Sequence, residues 1–418
     1  MAATMKQETD GATRLTADNL SETLKDLPRN VAYVLRLVTS LRFGSLQLTV
    51  PEGRIFTYEA PEPGPHGEAV LHNWGIIKRV ITNGSLGVAE SYLEGEWDSP
   101  DTTAFLHLFL LNSYNEAGQG FFARSTLMNL FNNLWHRLRA NTKEQAKKNI
   151  AAHYDLGNTF YEQWLDPTMT YSSAYFGDGA NDLESAQTAK YRALADAMDI
   201  HPEHHVLEIG CGWGGFAQYV AQTVGAKITC LTISEEQFAY ATERMVRADL
   251  TDRATIKFQD YRDETGTYDR IGSIEMFEAV GEQYWPTYFG KVHDCLKPGG
   301  KAGLQIISIR NEDYPHYRSN PDFIQKYIFP GGMLPSPEII SDLASKAGLT
   351  EIGELSFGRD YATTLEIWRK KFWSAWPTIQ PLGFDDRFKR MWEFYFHYCE
   401  AGFIVGSIDV RQTIFARG

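Results

Sequence analysis

The stretch that most restricts the possible folds is residues 205–215. Five mainly apolar residues, His205-Val206-Leu207-Glu208-Ile209, run into Gly210-Cys211-Gly212-Trp213-Gly214-Gly215 and then into a helical pattern. Glycine lets a backbone bend with positive φ and approach a ligand closely. Around this turn, helical and strand patterns alternate. A helix through Leu183 to Met198 precedes the strand His205 to Ile209, and a helix near Phe216 to Val224 follows it. Next come a strand Lys227 to Leu231, a helix Glu235 to Ala248, strands Thr255 to Gln259 and Tyr268 to Ile274, a helix around Tyr284 to Cys295, and a strand Lys301 to Ile307. That succession predicts an α/β fold with a doubly wound parallel sheet, which binds ligands beyond the carboxyl ends of its strands. The turn lacks both the GxGxxG fingerprint and the GxxxxGK[ST] phosphate cradle, and Glu208 places a carboxylate beside it. A cationic ligand suits it better than a pyrophosphate.

Composition removes several classes of function. The 418 residues carry 40 Lys and Arg against 53 Asp and Glu, a net charge of −13, and 43% are hydrophobic. The apolar share excludes a mainly disordered chain, and the acidic balance argues against nucleic acid as a partner. Cys211, Cys230, Cys295 and Cys399 form no CxxC pair and have no His at zinc-ligand spacing, so they are expected to be reduced thiols with no metal. The polar start, with Lys6, Glu8, Asp10, Arg14 and Asp18, lacks the apolar core of a secretion signal, and Phe105 to Leu111 is too short to span a bilayer. A cytoplasmic protein that meets membranes only from their inner surface is expected.

Four segments follow from the patterning. Residues 1–20 form a polar tail. Residues 21–120 form a small α+β domain, with a hairpin from Leu37 to Tyr58, a rigid loop at Pro61, Pro63, Gly64 and Pro65, and helical spacing through Ile76, Ile77 and Val80. Residues 121–150 carry Leu127, Phe131, Leu134 and Leu138 at helical spacing with Arg137, Arg139, Lys143, Lys147 and Lys148 near the end. That is an amphipathic helix acting as a linker, an anionic-lipid contact or a core helix. Residues 151–418 form the main domain. Near its end, Trp368-Arg369-Lys370-Lys371-Phe372-Trp373 and Arg387-Phe388-Lys389-Arg390-Met391-Trp392 interleave cations with aromatics, as solvated helix faces or headgroup contacts do.

LEIGCGWGG resembles the first motif of Rossmann-like, class I S-adenosylmethionine-dependent methyltransferases, and the chain as a whole is similar to the cyclopropane-fatty-acyl-phospholipid synthase family. The match is carried by residues 153–158 (HYDLGN), 169–176 (MTYSSAYF), 183–187 (LESAQ), 232–237 (TISEEQ), 259–263 (QDYRD), 276–278 (MFE) and 326–330 (KYIFP), in order. The N-terminal module also resembles the family's leading, lipid-binding-like domain. The resemblance implies S-adenosylmethionine as cofactor. Tyr171 and Ser172 would close over its methionine end, Glu208, Gly210, Gly212 and Gly214 would line it, Thr232 and Gln237 would serve the ribose, and Gln259 and Asp260 would meet the adenine. Partners implied are unsaturated phospholipid acyl chains at a membrane surface, with a second copy of the chain as a further candidate.

An alkene is a weak nucleophile, so its methylation needs in-line positioning and a dry site that tolerates a carbocation, for which aromatic faces are suited. Aromatics from Tyr261 onward, including Phe277, Trp285, Tyr288, Tyr361, Trp368 and Trp376, are mostly expected to be core, with two or three lining the alkene. In the family, a Cys, a Glu, a His and a Tyr hold bicarbonate as the base that removes a proton and closes a cyclopropane. Here Glu278 and Tyr361 match, while Ser173 stands for Cys and Gln305 for His. A neutral Gln cannot hold positive charge against an anion. Weak or absent bicarbonate binding is therefore expected, with Glu278 or water taking the proton and a methyl-branched or methylene product. A true cyclopropane synthase is the alternative, and a methyltransferase of a soluble small molecule or a non-catalytic lipid carrier stands further off.

Overall fold

The computed structural model describes residues 11–113 and 156–418. The expected helix at 121–150 lies outside them. The chain divides into two compact units, one ending at Leu130 but adding Asp385–Val405, the other comprising Phe131–Phe384 and Gly406–Gly418. The sequence boundaries, which kept 386–405 with the second unit, differ from this division.

In the first unit, strands β1 (Thr13–Arg14), β2 (Phe43–Thr49), β3 (Ile55–Glu59), β4 (Glu62–Leu71) and β5 (Trp97–Asp98) form a sheet in the order β1-β3-β2-β4-β5. β2 and β3 make a hairpin that starts at Phe43 and not at Leu37, which lies in the helix Arg29–Val38; Leu46, Leu48 and Val50 are buried along one face. Pro63, Gly64 and Pro65 lie within β4 instead of in a loop. Proline donates nothing to a ladder, and the register with β2 shifts between Phe43 and Ser45, while β5 pairs only with Val70 and Leu71. The helix Asp386–Val405 belongs here because its polar residues have partners here. Arg390 stacks 4.1 Å over the Tyr92 ring and reaches Asp98 at 2.8 Å, and Thr103 meets His397 at 2.7 Å.

The second unit is built on β6 (His205–Ile209), β7 (Lys227–Thr232), β8 (Ala254–Phe258), β9 (Tyr268–Ile274), β10 (Leu296–Ile309), β11 (Leu349–Ser356) and β12 (Ile408–Arg417). Their order is β11-β12-β10-β9-β6-β7-β8, parallel except where β12 runs antiparallel to both β10 and β11. From β6 the chain moves to β7 and β8 on one side and to β9 and β10 on the other. β6 is thus the switch point of a doubly wound sheet, the place where a ligand crevice opens. Alternation along β6 sends Val206 into one buried cluster and Leu207 and Ile209 into the other, so both faces are covered.

Two helices that carry site residues have well-made starts. Asp182 accepts from Ser185 N–H at 2.7 Å in a reciprocal capping box ahead of Leu183–Ala197. Ser234 caps Glu235–Arg247, whose first turn is acidic (Glu235, Glu236) and whose last turn is basic (Arg244, Arg247), as the helix dipole favours. Among the described residues no helix is long and apolar enough to cross a membrane. The basic aromatic runs are partly internal. Trp368 and Trp392 are buried, Lys371 donates to Leu165 O at 2.7 Å, and Lys370 pairs with Glu366, whereas Trp373 is exposed.

Candidate active site

At the carboxyl end of β6, Gly210, Gly212 and Gly214 have φ of 82°, 52° and 82°. The bend is tied to β7, because Gly210 and Cys211 N–H both donate to Leu231 O at 3.0 Å. A Cβ on Gly210 would come within 2.5 Å of Met276 Cγ, whereas one on Gly212 would meet nothing within 4 Å among the described residues. The second glycine is therefore open on the side that the described residues leave free. Behind it, Glu208 is fully buried and, among the described residues, its Oε2 has no hydrogen-bond partner; burial pushes its carboxyl up to about 8. A buried acceptor beside an open glycine turn fits a cationic group such as a sulfonium-bearing amino acid.

The other residues assigned to the cofactor are each held by neighbours of their own. Thr232, the last residue of β7, donates its hydroxyl to Gln237 Oε1 at 3.0 Å, leaving the amide nitrogen as the donor end. Gln259 donates to Glu264 at 3.1 Å, and Asp260 is held in a two-pronged pair with Arg262 (2.8 and 2.6 Å). Tyr171 packs in tilted or edge-on contact with Tyr161, Trp164 and Trp368 at centroid distances of 5.6, 5.5 and 5.4 Å. Ser172 is gripped from the helix Leu183–Ala197, where Gln187 donates to its carbonyl at 2.9 Å and Lys190 Nζ to its hydroxyl at 2.7 Å. Trp213, within the glycine turn, donates to Asn158 at 2.7 Å.

These aromatic rings form a continuous file. From Trp213 it passes through Tyr161 (5.0 Å), Tyr171 and Trp368 to Tyr361 (6.1 Å). Sequence reasoning named Tyr361 and Trp368 but passed over Tyr161, Trp164 and Trp213. Phe277, Trp285 and Tyr288 pack into a core cluster, as expected of most aromatics.

The file ends on a carboxylate that sequence reasoning did not select. Ser173, Gln305 and Tyr361 come together, but around Glu275. The Ser173 N–H and Gln305 Nε2 each donate to Oε1 at 2.8 Å, and Tyr361 OH donates to Oε2 at 2.7 Å. The hydroxyl of Ser173 turns away to Ala174 O. Gln305 has a fixed orientation, because Gln412, its register partner on β12, donates to Gln305 Oε1 at 3.1 Å and so leaves Nε2 for Glu275. Burial raises the Glu275 carboxyl, while Lys190 and the three donors oppose that rise. Burial also pulls the Lys190 ammonium down to about 7 against the pull of Glu275, Asp166 and Glu208. Glu278, by contrast, accepts from Ile307 N–H, and among the described residues its buried Oε2 has no partner. Burial first, and the charge of Glu275 second, push it up to about 8. The available signal was position: Glu275 directly follows β9, at the carboxyl edge where such sheets bind ligands.

Comparison with known proteins decides the family. Residues 141–413 match the family model described as mycolic acid cyclopropane synthetase. The chain belongs to that family. It is 38% identical over 351 residues to tuberculostearic acid methyltransferase UfaA1 of Mycobacterium tuberculosis, covering 82% of this chain and 81% of the relative. It is also 38% identical to the cyclopropane-fatty-acyl-phospholipid synthase of Escherichia coli strain K12, covering 83% and 87%. Among solved structures, the mycolic acid cyclopropane synthase CmaA1 complexed with SAH and CTAB aligns with a TM-score of 0.61 at 29% identity, covering 64% of this chain and 97% of that one. The cyclopropane synthase MmaA2 from Mycobacterium tuberculosis gives the same score at 28% identity, covering 65% and 98%. As a member of this family the chain is an S-adenosylmethionine-dependent methyltransferase with the class I fold.

Proposed function

We propose that this enzyme methylates the double bond of unsaturated acyl chains in membrane phospholipids and releases a methylene or methyl-branched alkene product. When bound, S-adenosylmethionine supplies an electrophilic methyl group. Gly210, Gly212, Gly214, Thr232 and Gln237 would hold the donor, with Glu208 facing its positive charge and Tyr171 and Ser172 closing over it. The aromatic file does two things for the acyl chain: it excludes water, and its ring faces stabilise a passing positive charge by about 0.5–2 kcal/mol each.

One observation carries the reading: the aromatic file runs from the glycine turn to a buried carboxylate, as a reaction through an acyl carbocation that must lose a proton requires. An enzyme alkylating an amine or hydroxyl would need a base but no such file of aromatic rings. Cyclopropane formation is the second reading, favoured by the Escherichia coli relative matching at the same identity as UfaA1. Contact with the membrane would be peripheral, from the inner surface, and would include the exposed Trp373 with Arg369 stacked on it at 5.7 Å. The test is proton NMR of the extracted product from monounsaturated phospholipid. Olefinic methylene signals support the proposal, and upfield cyclopropyl signals as the main product would overturn it.

A further inference from the structure

We infer that Glu275 is the resident proton acceptor of this reaction, occupying the place that the family resemblance gives to a free bicarbonate ion, so that turnover needs no dissolved anion. The inference rests on the proposed function and deepens it. Three of the four residues assigned to bicarbonate, Ser173, Gln305 and Tyr361, spend their donors on the Glu275 carboxylate at 2.7–2.8 Å. An anion held by those donors would have to displace a side chain already in place. Its site is filled by the chain itself.

The geometry also says how Glu275 comes to be there. Its φ is 50°, in the left-handed region that ordinary side chains avoid, and its N–H is locked to Gln305 O at 2.8 Å. A glycine would take this bend without strain. A glutamate held there against its backbone preference is the kind of outlier that functional sites retain. Among the described residues, Oε1 takes two donors and Oε2 only Tyr361, so Oε2 has the lone pair to spare. Lys190 adds a buried cation within electrostatic reach, and burial makes the carboxyl a stronger base than one in water.

The step balances without any co-reactant. The methylated acyl cation loses a proton from a carbon beside its electron-deficient centre, either directly, giving the methyl-branched alkene, or from the new methyl after a 1,2-hydride shift has moved the charge to the methyl-bearing carbon, giving the methylene; the electron pair of that C–H bond becomes the new C=C bond, and the proton bonds to Glu275 Oε2. The positive charge brought by the donor leaves on that proton, which passes to water before the next turnover. The neutral Gln305 then makes chemical sense. It donates to a carboxylate without competing for the proton, as a histidine would.

The experiment uses the full-length enzyme in buffer stripped of carbon dioxide, with and without added bicarbonate, and follows both olefin methylation and the NMR signal of 13C-bicarbonate. Wild type is expected to turn over at rates equal within about two-fold in both buffers and to show no bound bicarbonate. Glu275→Gln should lose about 10²–10⁴-fold in rate while still binding S-adenosylmethionine by calorimetry. Glu275→Gly, which suits the bend and empties the site, should bind 13C-bicarbonate and regain at least about ten-fold in rate when bicarbonate or formate is added. Bound bicarbonate in wild type, a rate that depends on it, or an active Glu275→Gln enzyme would overturn the inference. Wild type that methylates no olefin at all would instead overturn the proposed function, and the bicarbonate signal would still report on who fills the site.

Discussion

Replacing Tyr361 with Phe tests the carboxylate hub through its pH dependence. The phenol donates to Glu275 Oε2 at 2.7 Å, and its ring packs 6.1 Å from Trp368, a contact that Phe preserves. A hydrogen bond to a charged group contributes about 1.5–3 kcal/mol, and about 1.4 kcal/mol corresponds to one pH unit. Removing a donor that favours the ionised carboxylate must raise its pKa, here by about 1–2 units, with Ser173 and Gln305 still donating to the other oxygen. The groups facing Glu275 include Lys190, pulled down to about 7, and Glu278, pushed up to about 8, so both titrate nearby. The informative quantity is the difference between variant and parent. In a labelled-methyl vesicle assay, the acid limb of kcat/KM should move to higher pH by about 1–2 units, with much of the lost rate recovered in alkaline buffer. A uniform loss at every pH, with the limb unmoved, would refute the reasoning.

Other substitutions address separate parts of the account. Gly210→Ala puts a Cβ within 2.5 Å of Met276 Cγ at a φ of 82°, whereas Gly212→Ala meets only open space, so thermal unfolding should show Gly210→Ala the more destabilised by about 1–3 kcal/mol. Gly212→Ala should instead weaken S-adenosylmethionine binding in calorimetry, as should Gln237→Ala. Because the Glu278 carboxyl is raised in the folded state, its contribution to stability is complete below its ordinary value of 4.5 and is lost as pH rises towards about 8. Urea unfolding across that window should therefore flatten in Glu278→Gln, by at most about 1.4 kcal/mol per pH unit. On anionic vesicles, Arg369→Glu should reduce co-sedimentation without unfolding the protein. Arg390→Glu should destabilise the fold, because it breaks the pairing with Asp98 and the stacking on Tyr92.

The parts of the fold legible in the sequence were those set by local pattern. β6 and β9 begin and end where their apolar runs do, and the helix Leu183–Ala197 stops one residue short of its expected end. The prolines of β4 misled because a loop signal says nothing about a neighbouring strand that shifts register to accommodate them. Helix Asp386–Val405 misled for a related reason: its partners, Tyr92, Asp98 and Thr103, lie some three hundred residues away. At the site, motif matching identified Ser173, Gln305 and Tyr361 as counterparts of residues that hold bicarbonate in the family and expected that anion to bind weakly or not at all. Glu275 was invisible to that procedure, since only the folded sheet brings β9, β10 and the helix Gly358–Ile379 to one point. The chemistry of the Gln305 position was readable; the identity of what it faces was not.

In the proposed reaction, carbon of an alkene receives the methyl group. Purified enzyme incubated with methyl-labelled S-adenosylmethionine and vesicles of monounsaturated phospholipid, followed by fatty-acid analysis, tests it most directly. The account predicts label within the acyl chain at the former double bond, and none when the vesicles are fully saturated. Label found instead on nitrogen or oxygen of another acceptor, with the unsaturated chains unchanged, would contradict it.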